Sequence, residues 1–195
     1  MKKYFVLPLV ILLFSLAATA QKLQVDVQYV TADASADKPV IFYTPNRKLS
    51  WDDFKGKPVA ASEAAAITNA GFGFKMMFKS ENNVATLHLT VDCTFAIADS
   101  WVKHNRKSPY ILNHEQHHFD LAYLYAMQFV HNLRAAKYTM NDYTKVLDKI
   151  YNQCQADLTA AQNAYDAETK NSQLADRQEL WDKKIDARMT AYLKQ

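Results

Sequence analysis

The sequence predicts an α+β fold, a small antiparallel sheet followed by three helices. Three observations predict it. Between residues 23 and 95, several segments place apolar residues at every second position, the period of a half-buried strand. Beyond Ser108, long segments carry apolar residues at helical spacing, and the first of them, Tyr110 to Arg134, contains neither Gly nor Pro. The strands precede the helices, the order of an α+β domain rather than of alternating βαβ units.

The chain has 195 residues, of which 49% are hydrophobic and 22% charged, enough for one domain with a core. The first twenty read as a signal peptide: Lys2 and Lys3 form the charged start, Tyr4 to Leu16 the apolar run, and Ala18-Thr19-Ala20 a small-residue cleavage site. The run is short for a membrane span, and no later segment is apolar enough to be one. The expected location is therefore extracytoplasmic, periplasmic or secreted. Without Lys2 and Lys3 the chain carries 21 basic and 20 acidic residues, about +1. Nothing in that balance suggests nucleic acid or an anionic membrane surface as partner. There is no internal repeat, and 3 Gly and 5 Pro exclude low complexity. The expected organisation is a leader over residues 1–20, an N-terminal strand and linker over 21–39, and one domain over 40–195.

Leu23, Val25, Val27 and Tyr29 alternate with Gln24, Asp26 and Gln28, which predicts a half-buried strand. Residues 31–39 are small and polar and read as a loop, and Val40 to Tyr43 as a short strand. Leu49 to Phe54 predicts one helical turn capped by Ser50 and stopped by Lys55-Gly56-Lys57-Pro58. A hairpin follows, with Phe72, Phe74, Met76 and Phe78 on one strand and Leu87, Leu89, Val91, Cys93 and Phe95 on the other. Residues 80–83 make its turn, and His88 falls on its polar face. After a solvated basic loop, Lys103 to Lys107, Ser108 caps the first long helix and Pro109 opens it, where a missing N–H costs nothing. The second helix runs from about Asp142 to Thr169 and the third from about Gln173 to Leu193, with Trp181, Ile185 and Tyr192 facing inward.

The first long helix carries His114-Glu115-Gln116-His117-His118, an HExxH pattern. Positions four apart on a helix lie about 40° apart around its axis and about 6 Å apart along it. His114 and His118 are thus placed to grip one zinc ion, and Glu115 to take a proton from water on it. All three fall within the apolar arc of Ile111, Ala122, Tyr125, Phe129 and Leu133, where ionisable groups are costly without a partner. Asn113, Gln116, Asp120 and His131 point away from that arc; His117 and His131 read as surface residues. Catalytic zinc takes three protein ligands and leaves one position for water. Glu168, inside the apolar arc of the second helix, is the geometric candidate for the third, against the reading of a surface carboxylate at a frayed end. Asp166 points away, and His104 is a second candidate. One zinc ion per chain, acidified water and Glu115 as general base make a hydrolase of peptide bonds, with a peptide or protein as substrate. The hairpin ahead of the helix offers an edge for an extended peptide.

Cys93 and Cys154 are an even pair in an exported chain, which suggests a disulfide. It would close about 60 residues and add about 4 kcal/mol on a chain-entropy account. Two buried free thiols are the alternative.

LSWDDFKGKP (49–58), DSWVKH (99–104), NHEQHHFDLA (113–122), YDAET (165–169) and the closing Gln178-x-x-Trp181 resemble the DUF922 family of predicted secreted zinc-dependent proteases. The resemblance spans residue 40 to the end. It implies a zincin-like domain with the HExxH motif on its first long helix. It also implies a histidine two residues after Thr169, where this chain has Asn171. If that histidine is the family's third ligand, Glu168 substitutes for it, or the protein is an inactive secreted interaction or scaffold module. The intact Glu115 favours the enzyme.

Overall fold

The computed structural model describes residues 22–33, 39–82 and 84–193. The predicted leader lies outside the described residues. The architecture is α+β. A four-stranded sheet is built around β5 (Val84–Ala96), the longest strand. One edge of β5 pairs along its whole length with β4 (Ala70–Glu81), which makes the predicted hairpin. The other edge is shared: β1 (Lys22–Tyr29) covers residues 84–91 and β2 (Val40–Phe42) covers 94–96. β2 and β4 run antiparallel to β5, as expected, but β1 runs parallel to it. Alternation identifies a half-buried strand without revealing its partner or direction. A second, two-stranded sheet pairs β3 (Ala66–Ile67) with β6 (Trp101–Val102).

Between these strands, Trp51–Asp53 forms the predicted helical turn. The Asp53 carboxylate accepts from the Ser50 N–H at 2.7 Å and from Arg47 at 2.7 Å. Gly56 is required where the stop was predicted. Its N–H donates to Ser100 O at 2.8 Å, and a Cβ there would lie 2.8 Å from the Ala98 and Ser100 carbonyl oxygens.

Among the described residues the three helices are α1 (Pro109–Ala135), α2 (Tyr143–Thr169) and α3 (Ala175–Leu193). Ser108 caps α1, its hydroxyl accepting from Ile111 N at 3.1 Å. α1 is the centre of the molecule. The sheet lies against it through Phe95 on Phe119 and Phe72 and Phe74 on Phe129, and α2 and α3 pack around the rest. Every residue from His114 to Leu124 is consequently buried. The single apolar arc expected for this helix is too narrow, because a helix enclosed on all sides has no solvent face along its middle.

That enclosure corrects the placement of three polar residues. Asp120, 2% exposed, accepts from Tyr43 Oη at 2.6 Å and from Gln116 Nε2 at 2.8 Å, and Gln116 Oε1 accepts from Leu49 N at 2.8 Å. These bonds tie the segment after β2 onto α1. His117, 4% exposed, is not a surface residue: its Nδ1 lies 3.0 Å from Asp182 of α3 and its Nε2 3.4 Å from Asp186. His131 is exposed, as expected. Among the described residues, no helix is long and apolar enough to cross a membrane.

The expected disulfide is not formed. Cys93 and Cys154 are both free, buried thiols. Cys93 belongs to the central strand, where burial pushes its thiol pKa up. Cys154 belongs to α2, and its Sγ lies 3.5 Å from Asn132 Nδ2, near the far end of α1. Each thiol is enclosed by its own neighbours in the core, as small apolar groups.

α2 ends in a left-handed turn. Lys170, Asn171 and Ser172 have φ of 49°, 49° and 67°, and none of them is Gly. The Asn171 N–H donates to Asp166 O at 2.9 Å, closing the helix as in a Schellman motif. The Gln173 and Leu174 N–H groups both donate to Thr169 O at 2.9 Å, and α3 starts immediately afterwards.

Candidate metal centre

His114 and His118 project from α1 one turn apart and meet α2. Their Nε2 atoms are 3.2 Å from each other. The Asp166 Oδ1 atom lies 3.1 Å from His114 Nε2 and 3.0 Å from His118 Nε2. Together the three residues form a group able to hold a metal ion. Asp166 is thus the third ligand candidate, and Glu168 is not. The Glu168 carboxylate accepts instead from Trp181 Nε1 at 2.8 Å. Residues two apart on a helix leave it about 200° apart. Tyr165 occupies the middle of the buried stripe of α2, stacked on His114 at 4.4 Å, so Asp166 leaves towards α1 and Glu168 towards α3. His104 is exposed in a turn (His104–Arg106) ahead of α1 and is not in the group. His88 is half-buried, with its Nδ1 3.2 Å from Asp26, as its polar-face position predicted.

The donor set fits zinc. Two imidazole nitrogens and one carboxylate oxygen are typical catalytic ligands. Donors at zinc-bond length around a tetrahedron stand about 3.4 Å apart, close to the separations here. The chain also leaves atoms unmatched in the same place. Glu115 Oε2 and His118 Nδ1 are buried without a hydrogen-bond partner. An orphaned buried acceptor is expensive unless the site is built to receive something.

The electrostatics follow from the packing. Burial raises the Glu115 pKa, and the His118 and His114 charges only partly oppose it. Burial also acts to raise Asp166, but hydrogen bonds from His114 and His118 outweigh it and hold the carboxyl below the usual carboxylate range. For His118 burial acts to lower the pKa, yet the Asp166 hydrogen bond and the Glu115 charge carry it above the ordinary histidine value.

A cavity of about 190 Å³ opens over this group. Ala66 and Ile67 of β3 and the adjoining Thr68 border it on one side, and Asn171 and Ser172 on the other. The Thr68 hydroxyl donates to the Glu115 carbonyl at 3.2 Å, fixing β3 to the helix turn that carries Glu115. The strand next to the site is therefore β3, and the longer β4–β5 hairpin does not line the cavity. Asn171 lines the cavity, while the three ligand candidates assemble without it.

Sequence reasoning passed over Asp166, Gln178 and Asp182. Gln178 Oε1 lies 2.8 Å from His114 Nδ1, and Asp182 lies beyond it. Two of the three sit inside motifs singled out above, Asp166 in YDAET and Gln178 in Q-x-x-W.

Compared with known sequences, the chain matches the family described as "Bacterial protein of unknown function (DUF922)" over residues 56–173, more than half its length. The matched segment includes His114, Glu115, His118 and Asp166. No curated protein and no solved structure matches it.

Proposed function

This chain belongs to the DUF922 family, and from the site on its matched segment we propose that it is an exported zinc-dependent metallopeptidase. The observation that carries the reading is the convergence of His114, His118 and Asp166 beside a buried carboxylate with an unpartnered oxygen. A bound zinc ion would supply Lewis-acid polarisation of a carbonyl and acidification of water. His114, His118 and Asp166 hold it, with Asp166 offsetting part of its charge. Glu115 is the general base. Its oxygen faces a small cavity rather than bulk water, and its raised pKa brings it closer to neutrality, where a base hands protons on most effectively. Thr68 holds the backbone at Glu115 in place.

The proposed substrate is a peptide or protein. β3 pairs with β6 on one edge, and among the described residues no strand covers the other. An extended chain on that free edge would run past the cavity, satisfying its own backbone hydrogen bonds there. The non-enzymatic scaffold reading rested on the missing histidine at Asn171. Asp166 weakens it, because it supplies a third donor from a different position. Export rests on the predicted leader.

The test is zinc per chain in purified mature protein after dialysis against a weak chelator, followed by hydrolysis of a peptide library. The wild type should retain one zinc. Glu115→Gln should retain zinc and lose hydrolysis. Zinc-free wild type overturns the metal reading, and an active Glu115→Gln overturns the assignment of the base.

A further inference from the structure

We infer that Gln178 and Asp182 of α3 are positioning residues that set the tautomer of His114 and so present its Nε2 to the metal. This rests on the metal-centre reading above and adds to it a role for the Q-x-x-W segment, which that reading leaves unused.

His114 Nδ1 and Gln178 Oε1 are 2.8 Å apart, both buried. Gln178 has two faces, one acceptor and one donor, and an amide offers either to a histidine. Asp182 removes the choice. Its Oδ1 lies 2.6 Å from Gln178 Nε2, and a carboxylate only accepts. Gln178 Nε2 must therefore face Asp182, where it also donates to the Tyr165 hydroxyl. Oε1 is left facing His114, so His114 Nδ1 must carry a proton. Nε2, which meets Asp166 and His118, is then the nitrogen left to give up its proton to a metal.

Asp182 is itself fixed as an acceptor. His117 Nδ1 lies 3.0 Å from its Oδ1, and Asn113 Nδ2 donates to its Oδ2 at 2.9 Å. Both come from α1, one turn apart. The buried His117 is thereby explained: it anchors the carboxylate that orients the glutamine. Tyr165, stacked on the ring and packed by Trp181 at 5.3 Å, stops His114 from rotating away. Outer partners of this kind alter metal affinity about 10–100-fold.

The experiment measures two properties of full-length mature protein. The tautomer of His114 is read in the metal-free state by long-range ¹⁵N–¹H correlation spectra at about pH 8, above the ordinary histidine range. Zinc affinity is read by competition with a chromophoric chelator. Wild-type His114 should carry a proton on Nδ1. Gln178→Leu should give a mixture of tautomers and about 10–100-fold weaker zinc binding, and Asp182→Leu a smaller loss of the same kind. The swap Gln178→Glu with Asp182→Asn reverses the donor while keeping an acceptor on His114, and should restore both readouts. A His114 Nδ1 without a proton in the wild type overturns the inference. So does Gln178→Leu with unchanged zinc affinity, or a swap that folds but restores neither readout. If Gln178→Leu does not fold, Asp182→Leu and the swap decide. Should the wild type bind no zinc, the metal reading fails, while the metal-free spectra still decide the role of Gln178.

Discussion

Asp166 and Glu168 are two residues apart, and the site depends on which of them faces the histidines. Asp166→Asn should abolish stoichiometric zinc retention, whereas Glu168→Gln should leave it intact, because Glu168 bonds only Trp181 among the contacts described. Zinc content of the two variants after the same dialysis checks this, and equal loss in both would return Glu168 to the site. His114, Glu115 and His118 were legible in the sequence because their geometry is local: a spacing of four on one helix brings them together whatever surrounds it. Asp166 was not legible, because its selection depends on how α2 is rolled against α1. A helical wheel finds the middle of a buried stripe, and here the middle holds Tyr165, with the candidate ligand on one flank and a carboxylate bonded to Trp181 on the other. Asn171, where the family resemblance implies a histidine, lines the cavity beside the group.

At the scale of elements, α1 is the organising piece, and its polar residues do separate tasks. His114 and His118 face α2, His117 faces α3, and Gln116 and Asp120 hold the segment between β2 and the Trp51–Asp53 turn. Tyr43→Phe removes a buried donor from Asp120 and should cost about 1–3 kcal/mol in denaturant unfolding, with zinc retention unchanged. A loss of zinc in that variant would mean the Asp120 cluster shapes the metal centre. The limits of all three helices were readable from caps and periodicity to within a few residues. The middle of α1 departs from its sequence pattern, in which a polar residue predicts a solvent-facing position. Inside a helix enclosed on all sides, a polar residue signals a specific partner instead.

At the scale of the whole molecule, the three candidate ligands join α1 to α2, so a bound metal would be coupled to folding. In the metal-free protein the raised His118 pKa means that its proton stabilises the fold. That contribution is complete below the ordinary histidine value of about 6.5 and is lost as pH rises through the higher folded value. Asp166, held low, contributes above the ordinary carboxylate value of about 4 and loses its contribution as pH falls through the lowered one. The metal-free protein should therefore be best stabilised by this pair between about pH 4 and 6.5. Zinc must displace the His118 proton, so its apparent affinity should rise by up to about tenfold per pH unit while His118 is protonated. Melting with and without zinc checks this: the zinc-induced shift in Tm should grow with pH, and a flat or falling shift contradicts it. The sheet was less legible than the helices, because the parallel pairing of β1 with β5 joins segments some sixty residues apart. The turn between α2 and α3 has a further consequence. Left-handed backbone costs a residue with a side chain about 1–2 kcal/mol, and glycine would relieve it, yet Lys170, Asn171 and Ser172 occupy it in succession. Glycines there would make a loose hinge with many accessible states. The residues present make a stiff corner, and that stiffness sets the angle at which α3 returns to deliver Gln178 to His114.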